Sequence, residues 1–306
     1  MKIIYWGKGD KGVRCLEALH QAGHNISLVV THPGTSQGWY GSVGDLAKKL
    51  NLESIAPDDP NMSEAQNVLR NKEADLFILS GYGKILKQET IDIPKMMTIN
   101  LHSGKLPKYR GSSPLNWSLI NDEKNFSLSI IEVDSGVDTG PILNEKTFDI
   151  SETDTIRDLH NIANEQFPGM LLETLQKIKN GTLKKRVQDK LEGSYYPLRF
   201  SDDGLIIWDT MTARQVYNRI RGLTEPYPCA FTYYQGKKIK LITSEMYTPD
   251  FFGEPGRIYK KTARGLLVCA ADKCLWINEA KYDDNTSALH IVERYNKFAT
   301  LRDSLH

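Results

Sequence analysis

Cysteine is scarce: four residues in 306, at Cys15, Cys229, Cys269 and Cys274. Scattered along a long chain, they form no disulfide framework and are expected as buried, reduced thiols in a cytoplasmic protein. Cys269 and Cys274 lack a second Cys/His pair at zinc-finger spacing, so a structural zinc is excluded and no metal is expected. No run approaches the ~18 apolar residues that a membrane-spanning helix needs. The opening MKIIYWGKGDKG reaches glycine too soon for the apolar core of a signal peptide. Net charge is also nearly absent, at +1. No global field draws the protein to nucleic acid or to a membrane, and neither partner is expected. There are no internal repeats and no low-complexity tracts. What remains is ordinary soluble material, 40% hydrophobic and 25% charged, long enough for two domains.

The first two hundred residues alternate short apolar runs with amphipathic stretches. KIIYW (2–6), ISLVVT (26–31), DLFILS (75–80) and TINLH (98–102) read as buried strands. Helices are expected after Asp10 as cap, near 42–50, over 63–72, near 114–121 with Pro114 in its first turn, and over 153–180 with Gly181 as the stop. HPGTSQGWYG (32–41) reads as a loop without a basic cluster. SLSIIEVD (127–134) alternates and should be a strand with one wetter face. This is the pattern of an α/β, doubly wound, mostly parallel sheet. The texture turns loop-rich around 193–204, which sets a boundary near residue 200. Beyond it come an amphipathic helix (212–223) and many short strands, the signature of a small β domain. The domains are therefore 1–200 and 201–306.

GKGDKG (7–12) is a literal G-x-G-x-x-G between strand and helix. No acid stands about twenty residues on to hold a ribose, so it reads first as a tight turn. Lys8, Lys11 and the helix start could still attract a phosphate from another ligand. Asn100 and His102 sit two apart at a strand's C-terminal end, so they share a face where α/β sheets bind ligands. SGVDTGPIL (135–143) is a glycine-bearing loop that brings Asp138 close to backbone. An amide can donate to an oxyanion, an imidazole can move a proton near neutral pH, and a carboxylate can orient the imidazole. No Ser or Cys lies in an elbow such as G-x-S-x-G, so the nucleophile should belong to the substrate.

Asn100-Leu-His102, Leu106-Pro107, Tyr109-Arg110-Gly111, Pro114 and Asp138-Thr139-Gly140 together resemble the signature of the folate-dependent formyltransferases. That family includes methionyl-tRNA formyltransferases and sugar-nucleotide N-formyltransferases. The stretch WDTMTARQVYNRIRGLTEPYPCAFTY resembles their C-terminal OB-like domain, so the resemblance covers nearly the whole chain. It implies N10-formyltetrahydrofolate as donor, tetrahydrofolate as product, and Asn100, His102 and Asp138 as the catalytic trio. It places the cofactor against Gly81, Tyr82, Gly83, Lys84, Ile85 and Leu86, and against the loop from Asp134 to Asp138. Pro114-Leu115-Asn116-Trp117 resembles the P-x-N-W of sugar enzymes, which implies a nucleotide-linked amino sugar as acceptor, in surface-polysaccharide synthesis. Two departures stand out. Gly104-Lys105 replaces a serine-leucine pair, and Ser112 stands where the aminoarabinose enzyme has arginine. Lys8, Lys105 and Arg110 are the cations expected to compensate at the acceptor, beside Asn116 and Trp117. A homodimer is consistent with the family. The alternatives are methionyl-tRNA formylation and, in another class, a non-catalytic dinucleotide-binding module.

Overall fold

A computed structural model describes residues 1–33, 42–189 and 191–300. The expected loop at 32–41 therefore lies mostly outside the described residues. Contacts divide the chain into two compact units. The first comprises Met1–Pro114, Asn125–Asp149 and His160–Tyr196; the second comprises Leu115–Lys124, Ile150–Leu159 and the chain from Pro197 onward. The last change of unit falls at Pro197, and two shorter excursions belong with the second unit. No helix among the described residues is long and apolar enough to cross a membrane.

The first unit carries strands β1 (Lys2–Gly7), β2 (Asn25–Val30), β3 (Ser54–Ile55), β4 (Leu76–Ser80) and β5 (Met97–His102). After them come a two-residue strand β6 (Arg110–Gly111), β7 (Asn125–Glu132), β8 (Ile142–Asp149) and β9 (Tyr195–Tyr196). Seven of these form one sheet in the order β3-β2-β1-β4-β5-β7-β8. Pairing is parallel from β3 across to β5, and β7 and β8 are antiparallel. The chain winds one way from β1 to β3 and resumes on the other side of β1 with β4. The crevice above the carboxyl ends of β1 and β4 is therefore the switch point, where such sheets bind ligands.

Burial explains the strand choice. Ile3 through Trp6 and Leu76 through Ile78 are fully buried, as parallel strands covered on both faces must be. The expected wetter face of β7 is corrected: Phe126 through Ile131 are all buried. Its serines are satisfied internally, Ser127 by Thr147 and Ser129 by donating to the Gly104 carbonyl.

The helices are α1 (Gly9–Gln21), α2 (Val43–Lys49), α3 (Ser63–Asn71), α4 (Gln88–Ile91), α5 (Pro114–Ile120), α6 (Ile156–Lys179) and α7 (Ala213–Leu223). Lys8, not Asp10, occupies the cap of α1, and Asp10 sits in its first turn. There its charge favours the positive end of the helix. Helix α6 begins later than expected, with Thr155 bonded to Asp158.

In the second unit, strands β10 (Ala230–Tyr234), β11 (Lys237–Met246), β12 (Ile258–Thr262), β13 (Gly265–Cys269) and β14 (Cys274–Lys281) form an antiparallel sheet ordered β10-β11-β14-β13-β12. Helix α7, capped by the Thr212–Gln215 box, buries Val216 and Ile220 with Leu266, Val268, Leu275 and Ile277. The opposite face carries Leu267, Cys269, Cys274 and Trp276. Here the expectation of four reduced thiols is corrected. Cross-strand register sets Cys269 opposite Cys274, and the two form a disulfide, while Cys15 and Cys229 are free and buried.

Candidate active site

Strand β5 presents Asn100 and His102 on one side, as its period of two requires. Both meet Asp138. Asn100 Nδ2 donates to Asp138 Oδ1 at 3.2 Å, and His102 Nδ1 lies 3.4 Å from Oδ2. The Gly111 N–H donates to the same Oδ2 at 3.0 Å. His102 Nε2 lies 2.8 Å from the Tyr109 carbonyl, which can only accept, so that nitrogen carries the proton. Both imidazole nitrogens thus face acceptors. His102 is 6% exposed and Asp138 12%, so the cluster is sheltered yet reachable.

The surrounding backbone is under tension in the places that shape it. Asp138 has φ +53° and Tyr109 φ +60°, a region that costs a non-glycine residue about 1–3 kcal/mol. Tyr109 is held by stacking on Tyr196 at 4.8 Å between centroids. Gly104 leaves room for the His102 ring, since a Cβ there would lie 2.5 Å from Nε2.

Beside the trio, at the switch point, a cleft of about 290 Å³ is lined by Lys8, Asp10, Lys11, Gly81, Ser103 and His160, among others. Lys11 Nζ donates to the Leu101 carbonyl at 2.7 Å, between Asn100 and His102 in sequence, and sits over Phe167. Burial pulls its ammonium down to about 8, against smaller upward pulls from Cys15 and Asp138. Burial, with help from Lys11, pushes His160 down to about 4, so it is neutral near pH 7. Gly81, at φ +76°, closes the crevice: a Cβ there would lie 2.7 Å from the Lys8 carbonyl.

The loop Gly81–Leu86 follows the end of β4 at Ser80. Tyr82 stacks on His32 and meets Trp6 edge-on, and the Gly83 N–H donates to His32. Lys84 is tethered to the Pro57 and Asp58 carbonyls, Ile85 is exposed and Leu86 buried. Asp134 spends Oδ1 on its own loop, accepting from the Gly136 N–H and the Thr139 hydroxyl. Tyr82, Leu86 and Val133 border one apolar cluster with Trp6 and Leu79, so the β4 loop and the β7 end share a wall.

Of the expected acceptor residues, only Lys8 lines the cleft. Lys105 donates to Asn125. The expectation for Arg110 is corrected: its side chain is 1% exposed, bonded to Gln188 and the Asp189 carbonyl. Asn116 is corrected likewise: it is 2% exposed and donates to the Gly222 carbonyl within the second unit. Trp117, in that unit too, donates to the Pro197 carbonyl with Arg199 over its ring. The sequence reading missed Gln188, His160 and the backbone groups of Tyr109 and Gly111. Gln188 and His160 have no motif of their own, and the motif that contains Tyr109 and Gly111 gives no sign that their backbone groups are the ones used.

Residues 1–175 match the family described as "Formyl transferase", and 200–296 match "Formyl transferase, C-terminal domain". A methionyl-tRNA formyltransferase of Acetivibrio thermocellus is 35% identical over 301 residues, covering 96% of each chain. An N-formyltransferase from Helicobacter canadensis, solved with folinic acid and dTDP-3-aminofucose, superposes with TM-score 0.72 at 20% identity, covering 91% of this chain and 99% of that one. The sugar 3N-formyl transferase WlaRD, solved with dTDP and 5-N-formyl-THF, gives 0.70 at 20% identity, covering 91% and 97%.

Proposed function

The chain belongs to the formyl transferase family, and from that premise we propose that it carries a formyl group from N10-formyltetrahydrofolate to the amine of a nucleotide-linked amino sugar. The observation that carries the chemistry is the closed trio of Asn100, His102 and Asp138, which joins an amide donor, an imidazole and a carboxylate without a protein nucleophile.

The residues present fit the donor. Trp6 Nε1 and the Tyr82 hydroxyl are buried polar atoms without a partner among the described residues, beside the apolar wall shared by the two loops. Orphaned donors of this kind mark a surface that a ligand completes. Burial pushes Tyr82 up to about 12, so it stays a donor. The loops Gly81–Leu86 and Asp134–Asp138 would hold the pterin. When bound, this group supplies an activated formyl carbon.

The chain's own groups then have separable tasks. One N–H of Asn100 is committed to Asp138, and the second serves the oxygen on which charge develops. His102, bridged between Asp138 and the Tyr109 carbonyl, is held on the same side, where it stabilises that oxygen. Asp138 orients His102 and receives the proton that the acceptor amine releases. Lys11 fixes the strand from behind through Leu101.

A small acceptor suits the surroundings. The cleft beside the trio is compact and has two lysines on its wall. In the second unit Arg214, Lys240, Arg264, Lys273 and Lys281 each hold a carboxylate, leaving less charge for a polyanion. The relative named as a methionyl-tRNA formyltransferase favours a second reading, with methionyl-tRNA as acceptor. Incubating the purified protein with N10-formyltetrahydrofolate and dTDP-, UDP- and GDP-4-amino sugars, beside methionyl-tRNA, separates them. Turnover of a nucleotide sugar is expected. Turnover of methionyl-tRNA alone would move the assignment to the second reading, and turnover of neither would reject both acceptors.

A further inference from the structure

Gln188 is 4% exposed, and every hydrogen-bonding atom of its amide is engaged. Nε2 donates to the Asp138 carbonyl at 2.9 Å and to the Gly140 carbonyl at 2.7 Å. Oε1 accepts from Arg110 Nε at 3.2 Å and Nη2 at 3.0 Å. The placement follows from register. Arg186 and Ile142 form an antiparallel bridge with both backbone bonds made. Two residues further on, Gln188 therefore stands opposite Gly140.

We propose that Gln188, locked by Arg110, is a positioning residue that holds the main chain of Asp138 in its catalytic conformation; this rests on the trio reading above. Asp138 sits at φ +53°, a conformation that persists only where the surroundings fix it. Its side chain is aimed by Asn100 and the Gly111 N–H, but nothing in those contacts fixes its backbone. Gln188 supplies that constraint from the opposite side, spanning Asp138 and Gly140 with one rigid amide. Only a primary amide offers two N–H donors to carbonyls while accepting from a guanidinium. The chemistry also explains the buried charge. Arg110 is costly to bury alone, and here it fixes the acceptor end of the clamp.

The test uses Gln188→Glu, which keeps the oxygen facing Arg110 and removes both N–H donors, and Gln188→Met, which removes both ends without adding charge. Hydrogen exchange of the free protein reads the clamp directly, because the Gly111 N–H reports the place of Asp138. In either variant that folds, Gly111 exchange should rise about tenfold or more. The Arg110 N–H, bonded to the Ser194 carbonyl, serves as the control and should stay within about twofold. With the acceptor that the wild type turns over, kcat should fall about 100-fold and KM stay within about threefold, the cost of a displaced catalytic group. Unchanged Gly111 exchange overturns the proposal. So does equal acceleration at Gly111 and Arg110, which would mean a structural role only, and so does full kcat in a folded variant. If the wild type turns over none of the panel, the functional reading fails while the exchange result still judges the clamp.

Discussion

Replacing Lys11 by methionine should change how stability depends on pH more than it changes stability itself. Burial lowers the Lys11 ammonium from 10.5 to about 8. A shift of that size is worth about 3 kcal/mol, and because Lys11 keeps an edge on the cleft, about 2 kcal/mol is the expected effect. The sign follows from proton counts. Below pH 8 the group is charged in both states, and folding carries the full desolvation cost. Between about pH 8 and 10.5 the unfolded chain still binds the proton that the folded one has lost, so stability rises with pH. Above that window the cost is gone. Near pH 7 the variant escapes the cost but loses the bond to the Leu101 carbonyl, worth about 1.5–3 kcal/mol for a charged donor, so the two proteins should be close. Urea unfolding of both proteins at about pH 7, 8.5 and 10 gives the difference curve, in which other titrating groups cancel. Wild type minus variant should climb by about 2 kcal/mol across the window. A flat difference would refute the claim that this ammonium is desolvated in the fold.

Two further outcomes follow from the geometry. Asn100→Ala should lower kcat about 100- to 1000-fold with little change in KM, as loss of an oxyanion donor does; a large KM effect at unchanged kcat in steady-state assays would assign Asn100 to binding instead. Cys269→Ser should lower the urea midpoint and abolish its response to reductant, because the bridge spans a sequence separation of 5 and closing so short a loop is worth about 2 kcal/mol.

What the sequence made legible was whatever depends on local period or on the nearest few residues. Continuous apolar runs at 2–6 and 75–80 announced doubly covered strands, and the spacing of Asn100 and His102 announced a shared face. The glycines around Asp138 announced a loop that returns a carboxylate to the backbone. Long-range partners were not visible. Cys269 and Cys274 are only five apart, yet their meeting depends on the register of β13 against β14. Ser127 and Ser129 read as solvent-facing because nothing in their neighbourhood reveals Thr147 or the Gly104 carbonyl. Arg110 and Asn116 were placed at a ligand because polar side chains near a catalytic loop are normally there to touch something. They do, but the partners are Gln188, 78 residues away, and Gly222, 106 residues away. A buried polar side chain must be satisfied, and whether substrate or scaffold satisfies it is decided by the element that folds over it. The same motif, Tyr109-Arg110-Gly111, therefore carries two kinds of residue. Its backbone groups meet His102 and Asp138, while its one charged side chain turns away to brace the loop behind them.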